Sequence, residues 1–204
     1  MKSKIDLKKI VNNYNLCITT NPYGIKRLWP NSYIELFYNK FFNHIYKTNK
    51  SPKILEINQS NNNNLILWRQ CFKNSRIDNY KNEDIYKNNI KYDVIIISDR
   101  KKLEEFNSIK KLIKILDYDG TIVFENIGRD LEYIYKLFLN YFFKYDLLIM
   151  DFRLHRFGLN NCILSFKKSE KSFFLKKKFL SFLSLTKFII FEIFIYLLVK
   201  ILKK

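Results

Sequence analysis

Three short stretches carry the residues whose types and spacing could do chemistry. In "ILEINQSNNNNLILW", residues 54 to 68, an acid, Glu56, stands before a loop that holds Asn58, Ser60, Asn62 and Asn63. In "IIISDRKK", residues 95 to 102, an apolar run opens onto Ser98, Asp99 and Lys101. In "VFEN", residues 123 to 126, a third apolar run ends on Glu125 and Asn126. A strand, a tight loop and a helix form the usual cradle for a nucleotide-like ligand. Such loops favour glycine, because backbone must approach the ligand closely and often needs positive φ. Asparagine is the best substitute for that conformation, so the turn can survive, although each side chain takes up ligand space. Glu56, one residue inside the strand end, can order the loop by accepting backbone N–H bonds.

Other chemistries have little support. There is no Gly-x-Ser-x-Gly, Cys-His or P-loop pattern. His44 falls among apolar helical positions and reads as structural or surface. His155, in "RLHRFG", reads as part of a solvated basic loop. Cys17, Cys71 and Cys162 are widely spaced and odd in number, which argues against a disulfide framework or zinc site and fits a reducing cytoplasm. "MKSKIDLKKIVNNY" lacks the apolar core of a secretion signal.

The elements that must position these residues follow from periodicity. Residues 5 to 15 predict a short amphipathic helix, and "SYIELFYNKFFNHIYK", residues 32 to 47, a second one capped by Ser32. "TTNPYGIKRLWPNSY" between them reads as a loop. Pro52 precedes a strand, "KILEI", and a helix follows carrying Leu65, Leu67, Trp68 and Phe72. "RIDNY" is a marginal strand. "YDVIIISD" is a run of β-branched residues, as expected of a parallel strand covered on both faces. Then come a helix, "LEEFNSIKKLIKIL", a turn, "YDG", and a strand, "TIVFEN". A helix, "DLEYIYKLFLNYFF", and two strands, "DLLIMDFR" and "NCILSFKK", complete the order. This alternation predicts an α/β fold with a doubly wound, mostly parallel sheet. Ligands in such folds sit beyond the carboxyl ends of the strands, here residues 58 to 64, 98 to 102 and 125 to 129.

With 204 residues, 48% hydrophobic and 17% aromatic, the chain can bury a real core, and general disorder is excluded. Its net charge of +18 suggests anionic partners. Lys, Asn, Ile, Tyr and Phe are abundant together, however, as an AT-rich coding sequence would make them. Without zinc-finger spacing or an RNP-like motif, nucleic acid is not the expected partner.

Taken in order, "NSYIELF", "ILEINQSNNNNLILWRQCFKNSRIDNYKN", "YDVIIISDRKK", "DGTIVFEN" and "DFRLHRFGLNNCILSFKK" resemble class I S-adenosylmethionine-dependent methyltransferases, in particular the macrocin O-methyltransferase-like branch. The resemblance covers residues 6 to 168, and every motif in it is degenerate. It implies a Rossmann-like methyltransferase fold and S-adenosylmethionine as cofactor, with Glu56, Asn58, Ser60, Asn62 and Ser98 in the cofactor site. It also implies Mg²⁺, with Asp99, Glu125 and Asn126 as ligands, and Asp99 and Lys101 at the catalytic position. Asn58, Asn62 and Asn63 replace family glycines. In an ungapped reading the family's two aspartates become Ile97 and Ser98 and its histidine becomes Lys101, so Asp99 enters only through a one-residue slip. Glu125 keeps an acid, while Asn126 replaces its acidic neighbour. Asn31 or Ser32 replaces an N-terminal histidine next to a retained Tyr33. The acid expected at the end of the second strand is Lys81, with Glu83 and Asp84 close by.

Two functions follow. One is transfer of a methyl group to a hydroxyl of a small molecule, sugar or glycolipid. The other is a catalytically inactive methyltransferase-like domain that serves as a membrane-tethered binding or scaffold module.

Beyond a basic linker at 169–178, residues 179–204 change character. "FLSFLSLTKFIIFEIFIYLLVKIL" carries only Lys187, Glu192 and Lys200 as charges. As a helix it would extend roughly 36 Å, long enough for a bilayer, yet a central carboxylate is costly in lipid. It can span, lie on an anionic membrane surface at the cytoplasmic face, or pack on this chain or a second copy. The expected organisation is thus an N-terminal helical cap (1–50), an α/β core (51–168), the linker, and a hydrophobic C-terminal helix.

Overall fold

A computed structural model describes residues 5–14, 37–48, 51–57, 63–80, 89–97, 106–125, 140–141, 145–151, 162–168, 186, 190 and 193–194. Its elements are α1 (Leu7–Asn13), α2 (Asn39–Thr48), β1 (Ile54–Ile57), α3 (Asn63–Cys71), β2 (Ile77–Tyr80), β3 (Tyr92–Ile97), α4 (Phe106–Ile115), β4 (Leu116–Glu125), β5 (Asp146–Asp151) and β6 (Cys162–Lys167). The strands form one six-stranded sheet in the order β2-β1-β3-β4-β6-β5. The chain divides into two units, Met1–Asp117 and Tyr118–Lys204.

In the first unit, β1 pairs in parallel with β2 on one side and with β3 on the other. All four residues of β1 are buried, as are Val94 to Ile97 of β3, which explains their near-continuous apolar character. Buried Pro52 precedes the strand, where its missing N–H costs no ladder bond. The start of β1 is pinned on both sides. Ile54 N–H donates to the Arg76 carbonyl at 2.9 Å, and Lys53 N–H donates to Asp93 Oδ2 at 2.7 Å.

Helices α2 and α3 meet through an aromatic cluster. Leu67, Trp68 and Cys71 form the buried side of α3, at spacings that share one helical face, and buried Phe72 follows directly. The Trp68 ring lies 4.5 Å from Phe42 and 5.5 Å from Tyr38, and Phe72 lies 5.3 Å from Phe42. Each such pair adds roughly 0.5–1.5 kcal/mol beyond the burial of its area. Helix α1 is capped by Asp6, whose Oδ1 accepts from Lys9 N–H at 3.2 Å, and it is tied to α3 by Tyr14 Oη donating to Gln70 Oε1 at 2.9 Å.

In the second unit, β6 runs antiparallel to both β4 and β5, the hairpin-like ending expected from the last two apolar runs. The Phe124 and Phe166 rings pack edge to face, 5.8 Å apart.

Several expected boundaries are corrected. The asparagine loop is shorter than predicted, since Asn63 and Asn64 already belong to α3. Leu116, expected to end a helix, begins β4, and Tyr118 to Gly120, expected as a turn, lie within that strand. The turn chemistry of "YDG" survives as a kink: Asp119 has φ 58°, a left-handed value that Asp tolerates better than most residues. A π-helical turn at Phe37 and Tyr38 leads into α2. The helix predicted from Asp130 to Phe143 lies outside the described residues except for Asn140 and Tyr141, and the C-terminal helix except for Thr186, Ile190, Ile193 and Phe194. Among the described residues no helix is long and apolar enough to cross a membrane.

Candidate functional site

The parallel register brings three strand ends level. Ile57 of β1 stands opposite Tyr80 of β2 and Ile97 of β3, so the chain leaves this part of the sheet at one edge in all three places. That is the edge where an open α/β sheet binds its ligand. It also explains why the chemistry-bearing residues of the first two stretches fall where they do in sequence.

Glu56 lies one residue inside that edge and is wholly buried. Burial of a carboxylate is costly unless it is hydrogen-bonded or charge-compensated, so such a residue is kept for what it organises. Its register partner on β2 is Asn79, and residues paired in this way in a parallel ladder place their side chains on the same face of the sheet. The Asn79 amide oxygen is buried and accepts no hydrogen bond among the described residues. An orphaned buried acceptor of this kind suits a ligand that donates hydrogen bonds, such as a ribose hydroxyl or an amine. Glu56 and Asn79 therefore fit a polar, nucleoside-like group at the ends of β1 and β2. Strand β2 ends at Tyr80, so the next residue is Lys81, the position at which counting along the sequence placed the missing acid.

Sequence reasoning missed Asn79. Its signal was weak: "RIDNY" alternates so that Ile77 and Asn79 share a face, but only the pairing with β1 shows that this face is also that of Glu56.

In the second unit, Glu125 is the last residue of β4, buried and paired with Ile163 of β6. Of the expected metal ligands it alone is described. Asp99 and Asn126 lie outside the described residues, as do Asn58, Ser60, Asn62, Ser98 and Lys101. Among the described residues no group of three His, Cys, Asp or Glu side chains could hold a metal ion. Among the described residues the one expected carboxylate is fewer oxygen ligands than a magnesium ion needs.

The other titratable groups near the core have structural roles. Tyr92 Oη donates to Asp78 Oδ2 at 2.7 Å, and Arg76 Nε donates to the same oxygen at 2.7 Å, which joins β2 to the start of β3. Burial pushes the Cys71 thiol up to about 12, which disfavours the thiolate form at neutral pH. His44 is exposed on α2, in keeping with a surface role.

No family model and no curated protein matches the chain. Solved structures do. The MycE methyltransferase of the mycinamycin biosynthetic pathway, in complex with Mg and S-adenosylhomocysteine, superposes with a TM-score of 0.54 at 13% identity, covering 84% of this chain and 51% of that one. Phosphoethanolamine N-methyltransferase 2 from Haemonchus contortus, in complex with S-adenosyl-L-methionine, gives 0.43 at 15% identity over 62% of this chain and 35% of that one. An O-methyltransferase from Bacillus cereus, in complex with S-adenosylhomocysteine, gives 0.44 at 11% identity over 79% of this chain and 89% of that one. The chain thus spans about half of the MycE chain and about a third of the Haemonchus one. Its six-stranded sheet, with parallel β2-β1-β3, and its likeness to MycE give it the Rossmann-like fold of S-adenosylmethionine-dependent methyltransferases.

Proposed function

We propose that the protein binds S-adenosylmethionine at the carboxyl ends of β1 and β2 and methylates a hydroxyl group of a small molecule, a sugar or a sugar-containing lipid. The observation that carries this reading is the pairing of buried Glu56 with Asn79, whose buried oxygen has no donor among the described residues, at the carboxyl edge of the sheet. Glu56 orders the loop after β1 through backbone N–H groups, and Asn79 Oδ1 accepts from the ligand. Asn58, Ser60, Asn62 and Ser98 supply further polar contacts.

When bound, the cofactor supplies an electrophilic methyl group on a sulfonium and departs as the neutral thioether. The chain's own part is to align the acceptor oxygen with that methyl and to take up the hydroxyl proton, a role for Asp99 or for Lys101 in its neutral form.

A second reading is an inactive methyltransferase-like domain that serves as a binding or scaffold module. It is favoured by Lys81 directly after β2, where an acid would hold the ribose, and by the side chains carried at Asn58, Asn62 and Asn63 in place of glycine. The two readings separate in one assay. Purified full-length protein is incubated with methyl-labelled S-adenosylmethionine and a panel of sugar and glycolipid acceptors, with and without Mg²⁺. Label transferred to an acceptor, and lost in Glu56→Gln, supports the enzyme. Cofactor binding without transfer to any acceptor supports the inactive module.

A further inference from the structure

In the C-terminal segment, Thr186, Ile190, Ile193 and Phe194 have helical backbone. The three apolar residues are well exposed: Ile190 by 66%, Ile193 by 54% and Phe194 by 56%. Spacings of three and four residues put them on one face of a helix, within an arc of about 100°. The same spacing runs on in the sequence to Leu197 and Ile201. Three large apolar side chains side by side in water mark a surface that something else covers.

Charge identifies what covers it. Lys176, Lys177 and Lys178 precede the segment, Lys187 and Lys200 lie within it, and Lys203 and Lys204 end it, on a chain of net charge +18. A second copy laid on this stripe would bring two lysine clusters together. An anionic bilayer surface neutralises them. The one carboxylate, Glu192, falls midway through the apolar stretch in sequence, where it is costly in a spanning helix but tolerated at the headgroup level.

We propose that Ile190, Ile193 and Phe194 dock in plane on an anionic lipid surface, with the flanking lysines engaging its headgroups. Docking would hold the domain beside lipid-borne acceptors, but it stands independently of whether the cofactor site is active.

Flotation of the purified full-length protein with vesicles tests this. One set is phosphatidylcholine alone and the other contains ~30% phosphatidylglycerol. Binding to the anionic set is expected to be at least about tenfold stronger and to fall by about tenfold between about 0.1 M and about 0.5 M salt. The double variant Ile190→Glu/Phe194→Glu is expected to lose it, with Trp68 emission unchanged as a check that the core is folded. A variant with Lys176, Lys177 and Lys178 changed to Gln leaves the stripe untouched and is expected to bind several-fold more weakly to the anionic set only. Equal binding to both sets, or full binding by the double variant, overturns the proposal. So does resistance to alkaline extraction, which would mean a spanning segment. Absence of vesicle binding, with self-association that the double variant abolishes, also overturns it and assigns the stripe to a second copy.

Discussion

Asn43 of α2 holds both backbone groups of Ile5: its Nδ2 donates to the Ile5 carbonyl at 2.8 Å and its Oδ1 accepts the Ile5 N–H at 2.9 Å. One side-chain amide thereby acts as a short strand partner for the segment that enters α1. Asn39, one turn earlier, accepts the N–H of Leu7 at 3.1 Å, a group that the first turn of α1 would otherwise leave unpaired. Asn43→Ala is expected to cost about 2 kcal/mol, since it removes two part-buried hydrogen bonds and leaves both backbone partners unsatisfied. Urea denaturation followed by Trp68 fluorescence measures this. Asn43→Asp should recover only part of the loss, because the carboxylate can accept from Ile5 but not donate.

Asn79 gives the sharpest contrast between stability and binding. A buried acceptor with no donor costs about 1–3 kcal/mol, and Asn79 has none among the described residues; Asn79→Val would remove that cost at a strand position that suits a β-branched residue. The variant should be more stable by about 1 kcal/mol and bind S-adenosylhomocysteine about tenfold more weakly. Thermal melts and calorimetry on the same preparations read both quantities. Higher stability with unchanged binding would remove Asn79 from the site.

Asp119 is the non-glycine residue with φ 58° inside β4, and Gly120 follows it. Asp119→Gly should be neutral or slightly stabilising, because glycine takes that conformation without steric cost. Asp119→Val should destabilise by about 1–3 kcal/mol, because a β-branched side chain resists it. Paired denaturation curves decide the matter. Equal effects from both substitutions would show that the kink is not set by backbone conformation.

Cys71 makes stability depend on alkaline pH. Burial raises its thiol to about 12, well above the value of an exposed cysteine, so the folded state holds a proton that the unfolded state releases first. The contribution is complete below about pH 8 and declines as pH rises through about 9 toward 12. The stability advantage of wild type over Cys71→Ala should therefore shrink between about pH 8 and about pH 10.5. In the native protein at neutral pH, Cys71 should resist a thiol reagent until denaturant is added.

The fold was legible where the physics is local. The β-branched run at Val94 to Ile97 and the apolar "ILEI" could only be strands covered on both faces, and both are. The amphipathic spacing around Phe42, and the cluster of Leu67, Trp68 and Phe72, likewise marked α2 and the inner face of α3. Errors arose where one local signal has two outcomes. Asparagine disfavours helix interiors but is well tolerated at a helix start, so the run ending at Asn64 read as loop although its last two residues open α3. Asp119 and Gly120 do carry turn chemistry, but pairing absorbs it into β4. Glu56 and Glu125 were legible as acids at strand ends, and each is buried within its own unit. Asn79 was not, because its meaning depends on the register of β2 against β1, a non-local pairing that no residue of "RIDNY" announces.

A working cofactor site at the strand ends around Glu56 and Asn79 would bind S-adenosylhomocysteine. Calorimetric titration of the full-length protein with S-adenosylhomocysteine tests it most directly, with Glu56→Gln as the paired control. One site is expected, with Kd in the range of about 1–100 μM, weakened at least tenfold in the variant, a loss of about 1.4 kcal/mol or more. No heat of binding up to about 1 mM ligand, which corresponds to an affinity weaker than about −4 kcal/mol, would contradict it.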